Sequence, residues 1–202
     1  MKTMSLLWLS SFIFLTLSCS SVPEKTYSSF DDVMTDEEYM SVIEKNTKED
    51  EKYAGFMAAY QFHATILNKN VREAQTLLRA KDYKWTREVY LAEKQKVDLD
   101  LSTRAKFFLS FFSPVNENDN LDSSKTLWKV YLYVNDQRYE GQVGKKPGLL
   151  AEIQRLYPYH SRFLTPYHVT FKVPMTEVQK NTARLVITGP IGSSELKFSP
   201  ID

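Results

Sequence analysis

The tyrosines and histidines between residues 157 and 168 are the side chains best suited to bind a ligand. The tripeptide Pro-Tyr-His occurs twice, at 158–160 and at 166–168, and an arginine lies between the two copies. Tyrosine and histidine combine a flat ring with a hydrogen-bonding group, which suits protein interfaces and sugar rings. The sequence therefore predicts a binding loop from Tyr157 to His168. Its candidate residues are Tyr157, Tyr159, His160, Arg162 and His168.

A structural role is the alternative for the same residues. Tyr157 and Pro158 could simply end a helix, and His168 would lie on the polar face of a strand beside Thr170 and Lys172. The third histidine, His63, follows Phe62 within an apolar stretch, and an isolated histidine in that setting is usually structural. These alternatives stay open from the sequence alone.

Metal and catalytic motifs do not accompany the histidines. His160 and His168 are eight residues apart, and the sequence places neither a cysteine nor a carboxylate near them. This is not the ligand spacing of a zinc site. The sequence contains no Gly-x-Ser-x-Gly nucleophile motif and no glycine-rich phosphate loop. We therefore expect no enzyme activity, no cofactor and no bound metal.

Cys19 is the only cysteine, and its surroundings indicate a chemical modification. Lys2 precedes a short apolar run, from Leu6 to Leu17, and small polar residues follow at 18–21. A basic residue, an apolar run and small residues in this order are typical of a secretory signal peptide. The run of about 12 residues is too short for a transmembrane helix, which takes about 20.

The segment Leu15-Thr16-Leu17-Ser18-Cys19 resembles the lipobox of bacterial lipoprotein precursors. The resemblance covers the first tenth of the chain and departs from the family at Thr16, where leucine is usual. It implies a signal peptide over residues 1–18, cleavage before Cys19, and acylation of that cysteine with lipid chains such as palmitate. An ordinary signal peptide with an incidental cysteine is the alternative.

The same resemblance implies a location in the cell envelope. In enterobacterial lipoproteins an aspartate after the cysteine retains the protein at the inner membrane, and Ser20 stands at that position here. By that analogy the outer membrane is the expected site, with the protein facing the periplasm or the outside. Residues 19–35 are polar, contain Pro23 and several serines, and read as a tether.

The charge balance argues against nucleic-acid binding. The 202 residues include 26 Lys+Arg and 25 Asp+Glu, so the formal net charge is +1. Such a balance creates no net basic field to attract nucleic acid. About 180 residues remain after the signal segment, enough for one domain or two small ones.

Helical patterns dominate residues 36–100. Thr35-Asp36-Glu37-Glu38 has the form of a capping box and predicts a helix from Asp36 to about Lys45. Apolar residues from Tyr53 to Leu78 are spaced alternately four and three apart, which predicts a long helix or two helices broken near Asn68. A further helix over residues 82–97 would form a hairpin with it. The apolar stripe is either buried core or a coiled-coil seam for a partner.

Beyond Asp100 the apolar period changes to two, which predicts strands. The strands are expected at 105–112, 128–134, 138–143, 163–173, 184–188 and 194–198, with a short helix over 148–156. A turn at Asn135-Asp136 would join two of them. Residues 101–202 therefore predict an antiparallel β-sandwich that looks like an immunoglobulin-type sandwich, with Trp128 placed like its core tryptophan.

The sequence thus predicts an α+β chain in which N-terminal helices precede a C-terminal sandwich. The expected function is that of an envelope-anchored lipoprotein that acts as a non-enzymatic interaction or assembly module. Its partners would be the membrane, through the lipid anchor, and another envelope protein. The alternative is a lipoprotein that binds a small molecule or glycan through the Tyr157–His168 loop. An enzyme acting on envelope polymers is the third possibility.

Overall fold

The structure is a computed structural model that describes residue 30 and residues 34–201. The predicted signal peptide, Cys19 and most of the predicted tether lie outside the described residues. Five α-helices are present in the described part: α1 Asp36–Lys45, α2 Lys69–Asp82, α3 Arg87–Thr103, α4 Leu150–Leu156 and α5 Met175–Val178. The same part contains nine strands: β1 Thr47–Ala54, β2 Met57–Ile66, β3 Ala105–Phe112, β4 Lys129–Val134, β5 Gln137–Glu140, β6 Gln142–Lys145, β7 Thr165–Phe171, β8 Ala183–Gly189 and β9 Gly192–Phe198.

The strands form two antiparallel sheets that pack face to face. One sheet has the order β1-β2-β3-β7-β6, and the other has the order β5-β4-β8-β9. Alternate side chains of both sheets fill the space between them, as period two requires. Trp128 is buried there, and its Nε1 donates to the Asn118 carbonyl oxygen at 2.7 Å. The predicted mixed α+β chain and two-sheet arrangement are confirmed.

Residues 47–66 form a β-hairpin, so the prediction of a helix starting at Tyr53 is wrong. A spacing of four residues fits a strand as well as a helix, and Tyr60 and Ala64 share one face of β2. Gly55, with φ of +67°, takes the left-handed conformation in the turn between the two strands. The helix begins only after Asn68, whose side chain accepts from the Val71 N–H at 3.0 Å.

The first sheet also crosses the expected boundary between residues 100 and 101. Strand β2 pairs with β3 in an antiparallel register that runs from Gln61–Phe112 to Ile66–Phe107. The strands of the N-terminal half and those of the C-terminal half therefore share one hydrogen-bonded sheet. Helix α3 ends at Thr103, directly before β3.

Residues 138–143 form parts of two strands, where the sequence predicts one. Strand β5 pairs with β4 in one sheet, and β6 pairs with β7 in the other. The chain changes sheets at Gly141, where a Cβ atom would lie 2.5 Å from Val169 Cγ1. The preceding turn is as predicted: Asn135 and Asp136 have φ of 50° and 60°, the conformation of a two-residue hairpin turn.

Helices α1, α2 and α4 cover the outer face of the five-stranded sheet around Phe108. The predicted capping box of α1 is present, since Glu38 N donates to Thr35 Oγ1 at 3.1 Å and Thr35 N donates to Glu38 Oε2 at 2.8 Å. Helix α3 follows α2 and contacts it, but it begins at Arg87, later than the predicted start at residue 82. The described chain therefore has three layers: helices, the five-stranded sheet and the four-stranded sheet.

Candidate functional site

The three histidines share the outer face of the five-stranded sheet, beneath the helices. Strand register places His63 beside Ser110, and places His168 beside Phe108. His160 approaches the same strand from the segment after α4 and lies against Phe108, with ring centroids 6.0 Å apart. Most of the predicted binding loop is therefore brought onto this face. The fold brings these side chains together, but most of them are buried or partly buried between the helices and the sheet.

Tyr157 is part of the packing between helix and sheet. Its ring stacks on Phe108 with centroids 3.6 Å apart and an interplanar angle of 7°. The side chain is buried, and burial raises the pKa of its hydroxyl. Tyr157 is also the C-terminal cap of α4, so it ends a helix as the structural alternative expected.

Tyr159 lies against the beginning of the first hairpin. Its hydroxyl is hydrogen-bonded to Thr65 Oγ1, which also bonds Thr47 Oγ1 at 2.7 Å. Its ring stacks on that of His63 with centroids 4.9 Å apart. His63 Nδ1 lies 2.9 Å from Glu49 Oε2, and burial lowers the pKa of His63 while Glu49 opposes the shift. This contact chain joins the loop to both strands of the hairpin.

His160 forms a buried pair with Ser110. The Ser110 Oγ atom lies 2.6 Å from His160 Nδ1, and the two side chains have almost no solvent exposure. Gln154 Nε2 donates to the backbone oxygen of His160 at 3.0 Å. Burial lowers the pKa of His160, and electrostatic repulsion by His63 lowers it further, which favours the neutral ring. A serine hydroxyl closed off in this way is placed for packing and does not reach solvent.

Arg162 and His168 have different surroundings from the rest of the loop. Arg162 is exposed, and its guanidinium carbon lies 4.8 Å from the centroid of the Phe163 ring, which is also exposed. His168 is partly buried. Burial and the nearby cations Lys146, Lys106, Arg72 and Arg79, in that order, lower its pKa to about 4. The candidate residues therefore do not form one common binding surface.

A basic cavity beside α2 and α4 was not predicted from the sequence. It has a volume of about 530 Å³. Its lining residues include Arg79, Lys146, Arg155, Asp82, Tyr83, Glu152, Ile153 and Leu156. These residues come from two segments, 79–83 and 146–156, that are far apart in sequence, so no local motif marks the cavity.

The tip of the β1–β2 hairpin is the second feature that the sequence did not reveal. Phe56 is fully exposed, and Tyr53 and Met57 are exposed by 64% and 70%. The helix prediction assigned these side chains to an apolar stripe, either buried core or a coiled-coil seam. In the structure they surround Gly55 at the far end of an edge strand.

Comparison with known proteins finds no matching family model, curated protein or solved structure. Within residues 34–201, no group of three or more histidine, cysteine, aspartate or glutamate side chains is placed to hold a metal ion. No helix in that part of the chain combines the length and the apolar composition needed to cross a membrane.

Proposed function

We propose that this protein is an envelope-anchored lipoprotein that acts as a non-enzymatic interaction module and docks a partner protein with its β1–β2 hairpin tip. The proposed anchor is Cys19, and the lipobox-like sequence that precedes it is the basis for this part of the proposal. The observation that carries the docking proposal is the exposure of Tyr53, Phe56 and Met57 together at one turn. Contiguous exposed apolar side chains usually mark an interaction site.

The remainder of β1 supports a docking role for the tip alone. The strand is an edge of its sheet, and its exposed positions include Lys48, Glu49, Glu51 and Lys52. Charged side chains on an edge strand discourage pairing with the backbone of another chain. A partner would therefore contact the apolar tip rather than add a strand to the sheet.

The chemistry of the tip favours a protein partner over a lipid surface. Aromatic residues and methionine are enriched at protein interfaces, where methionine adapts to irregular surfaces. The adjoining part of β1 carries Glu49, Asp50 and Glu51 against Lys48 and Lys52. Anionic membranes attract basic segments, so this acidic excess does not favour them.

The proposal extends to the details of the fold. The burial of Trp128 between two antiparallel sheets supports an immunoglobulin-type sandwich, an architecture that often serves binding. The contact between the consecutive helices α2 and α3 supports the predicted helical hairpin. Neither assignment changes the position of the tip.

The docking proposal is tested by replacing the tip. The double variant Phe56→Ser, Met57→Ser should lose at least about 90% of a stoichiometric partner recovered from crosslinked envelopes, since each change removes about 1.5–3 kcal/mol of apolar burial. The matched control is Leu99→Ser, because Leu99 is an apolar side chain that is 68% exposed and lies on α3, outside the hairpin tip. Both variants should unfold at the same temperature as the native protein, because exposed positions contribute little to stability.

The purified partner and the native chain should then form a complex in gel filtration, and the tip variant should not. Equal recovery of the partner by the tip variant and the native chain would contradict the docking proposal. Loss of binding to lipid vesicles, with the protein complex unchanged, would show instead that the tip contacts the membrane.

The anchor is tested independently with Cys19→Ala. We expect the native protein to incorporate labelled palmitate and to sediment with membranes, and the variant to do neither. Identical labelling and sedimentation of both proteins would contradict the anchor and leave the docking result unaffected.

The second candidate is a lipoprotein that binds a glycan or small molecule through the Tyr157–His168 loop. The observation in its favour is the exposed Phe163 ring with the Arg162 guanidinium stacked over it. Saturable binding of a glycan that is abolished by Phe163→Ala and retained by Leu99→Ser would support this candidate. Equal binding by both variants would exclude the loop.

A further inference from the structure

We propose that the cavity between α2, the end of β6 and α4 binds a small phosphate ester, with Arg79 and Lys146 as the charge partners of the phosphate and an apolar wall for its organic part. This inference goes beyond partner docking, because the cavity lies apart in sequence and structure from the hairpin tip. It does not depend on the proposed function.

The two cations are free to receive an anion. Both line the cavity, and among residues 34–201 no ion pair joins Arg79 or Lys146 to a carboxylate. Arg155, in the same wall, is different: its Nε donates to Asp82 Oδ2 at 2.8 Å, and its Nη2 donates to Asp36 Oδ1 at 3.2 Å. Arg155 is therefore committed to holding α4 against α2 and α1, and the unpaired cations remain for a ligand.

The cations lie close enough to repel one another. Burial is the largest cause of the lowered pKa of Lys146; the charges of Arg79 and Arg72 lower it further, and Glu152 partly opposes them. The side chain of Arg72, on the same helix as Arg79, donates a long 3.4 Å hydrogen bond to Gln75 Oε1. Bringing like charges together in partly desolvated positions is unfavourable unless an anion joins them.

The number of unpaired charges favours phosphate over carboxylate. Among the lining residues, Arg79 and Lys146 supply two positive charges against one negative charge on Glu152, since Asp82 is already paired with Arg155. A phosphate monoester carries about −1.5 to −2 near pH 7 and can pair with both cations at once, whereas a carboxylate brings a single charge. The guanidinium fork of arginine can also donate to two phosphate oxygens at once.

The size and walls of the cavity indicate an organic ligand rather than inorganic phosphate. A volume of about 530 Å³ lies within the range of small-molecule sites. Ile153 and Leu156 provide apolar wall, and Tyr83 provides a ring at the end of α2. The phosphate would lie at the basic side, and its substituent would lie against these apolar side chains.

The test is calorimetric titration of the full chain with phenyl phosphate, inorganic phosphate and benzoate. We expect saturable binding that is tightest for phenyl phosphate and weakens as salt is added. Arg79→Gln and Lys146→Gln should each weaken phenyl phosphate binding about tenfold or more. The matched control is Lys129→Gln, which removes an exposed lysine of the other sheet and should leave binding unchanged.

A stability measurement separates loss of the site from loss of the fold. Because Lys146 is repelled by its neighbours, Lys146→Gln without ligand should melt at the same temperature as the native chain or higher. Equal binding of phenyl phosphate by the native chain and both cavity variants would overturn the proposal. The absence of saturable binding by the native chain would overturn it too, and tighter binding of benzoate would overturn the assignment to phosphate.

Discussion

The two faces of strand β3 are both buried, but they carry different chemistry. On the inner face Phe107, Leu109 and Phe111 join the apolar core between the sheets. On the outer face Phe108 and Ser110 meet tyrosines, histidines and the cations of the helical layer. The apolar core between the sheets therefore holds the fold together, whereas the layer under the helices contains the groups that can titrate, pair or bind.

The physical requirements of the two layers differ accordingly. Between the sheets stability comes from apolar burial and aromatic contacts, such as that of Phe111 with Trp128 at 5.4 Å between centroids. Under the helices each buried polar group needs a partner, because an unsatisfied one costs about 1–3 kcal/mol. Tyr39 meets this requirement by donating to the Leu156 carbonyl oxygen at 2.7 Å.

The largest effect on stability is expected when a large side chain is removed from the core between the two sheets. Phe107 is fully buried and contacts Phe171 and Phe198, with ring centroids 5.8 and 5.4 Å apart. Phe107→Ala should lower the free energy of unfolding by about 3–5 kcal/mol, measured by denaturant titration. A loss below about 1 kcal/mol would contradict the packing described for the sandwich.

The next largest effect is a dependence of stability on pH, which is expected from the layer under the helices and not from the core between the sheets. Since the pKa of His168 is about 4 in the folded chain and 6.5 is its ordinary value, the unfolded chain binds the extra proton between these pH values. The difference in proton binding makes the free energy of unfolding depend on pH. A part of that free energy, about 3 kcal/mol, is fully present above pH 6.5 and is lost as the pH falls towards 4. His168→Gln should remove this part of the acid slope.

The inner-core variant is the control for that slope. Phe107→Ala should lower stability by a similar amount at every pH, because it removes no titrating group. Denaturant titrations across the pH range check both variants. An acid slope in His168→Gln as steep as that of the native chain would show that His168 is not the group responsible.

The smallest effect concerns the buried pair of Ser110 and His160. Ser110→Ala leaves His160 Nδ1 without its 2.6 Å partner and should cost about 1–2 kcal/mol. The control is Ser193→Ala at an exposed position, which should change stability by less than about 0.5 kcal/mol. Thermal unfolding of both variants measures the difference, and equal melting temperatures would mean that the pair does not stabilise the helical layer.

Local signals made part of this fold predictable. The capping box at Thr35, the turn at Asn135-Asp136 and the change to period two after Asp100 are short-range patterns with one physical meaning. The sequence does not predict the first hairpin because Tyr60 and Ala64 satisfy both periods, and only the pairing of β2 with β1 and β3 decides between them. Long-range pairing of this kind leaves no local trace in the sequence.

The candidate sites were less predictable than the fold. Residue types alone selected Tyr157 and His160, whose rings and hydrogen bonds serve the packing under the helices. The basic cavity combines Arg79 with Lys146, which only the tertiary structure brings together. Exposure of Phe56 likewise follows from a turn that the sequence pattern did not indicate.

Photo-crosslinking at the hairpin tip tests the central claim most directly. A photoreactive amino acid would replace Phe56 in one variant and Leu99 in another, because both side chains are exposed. After illumination of intact envelopes, we expect one protein to be crosslinked from position 56 and to be absent from the products of position 99. Crosslinks from position 56 to lipid alone, or the same products from both positions, would contradict docking of a partner protein at the tip.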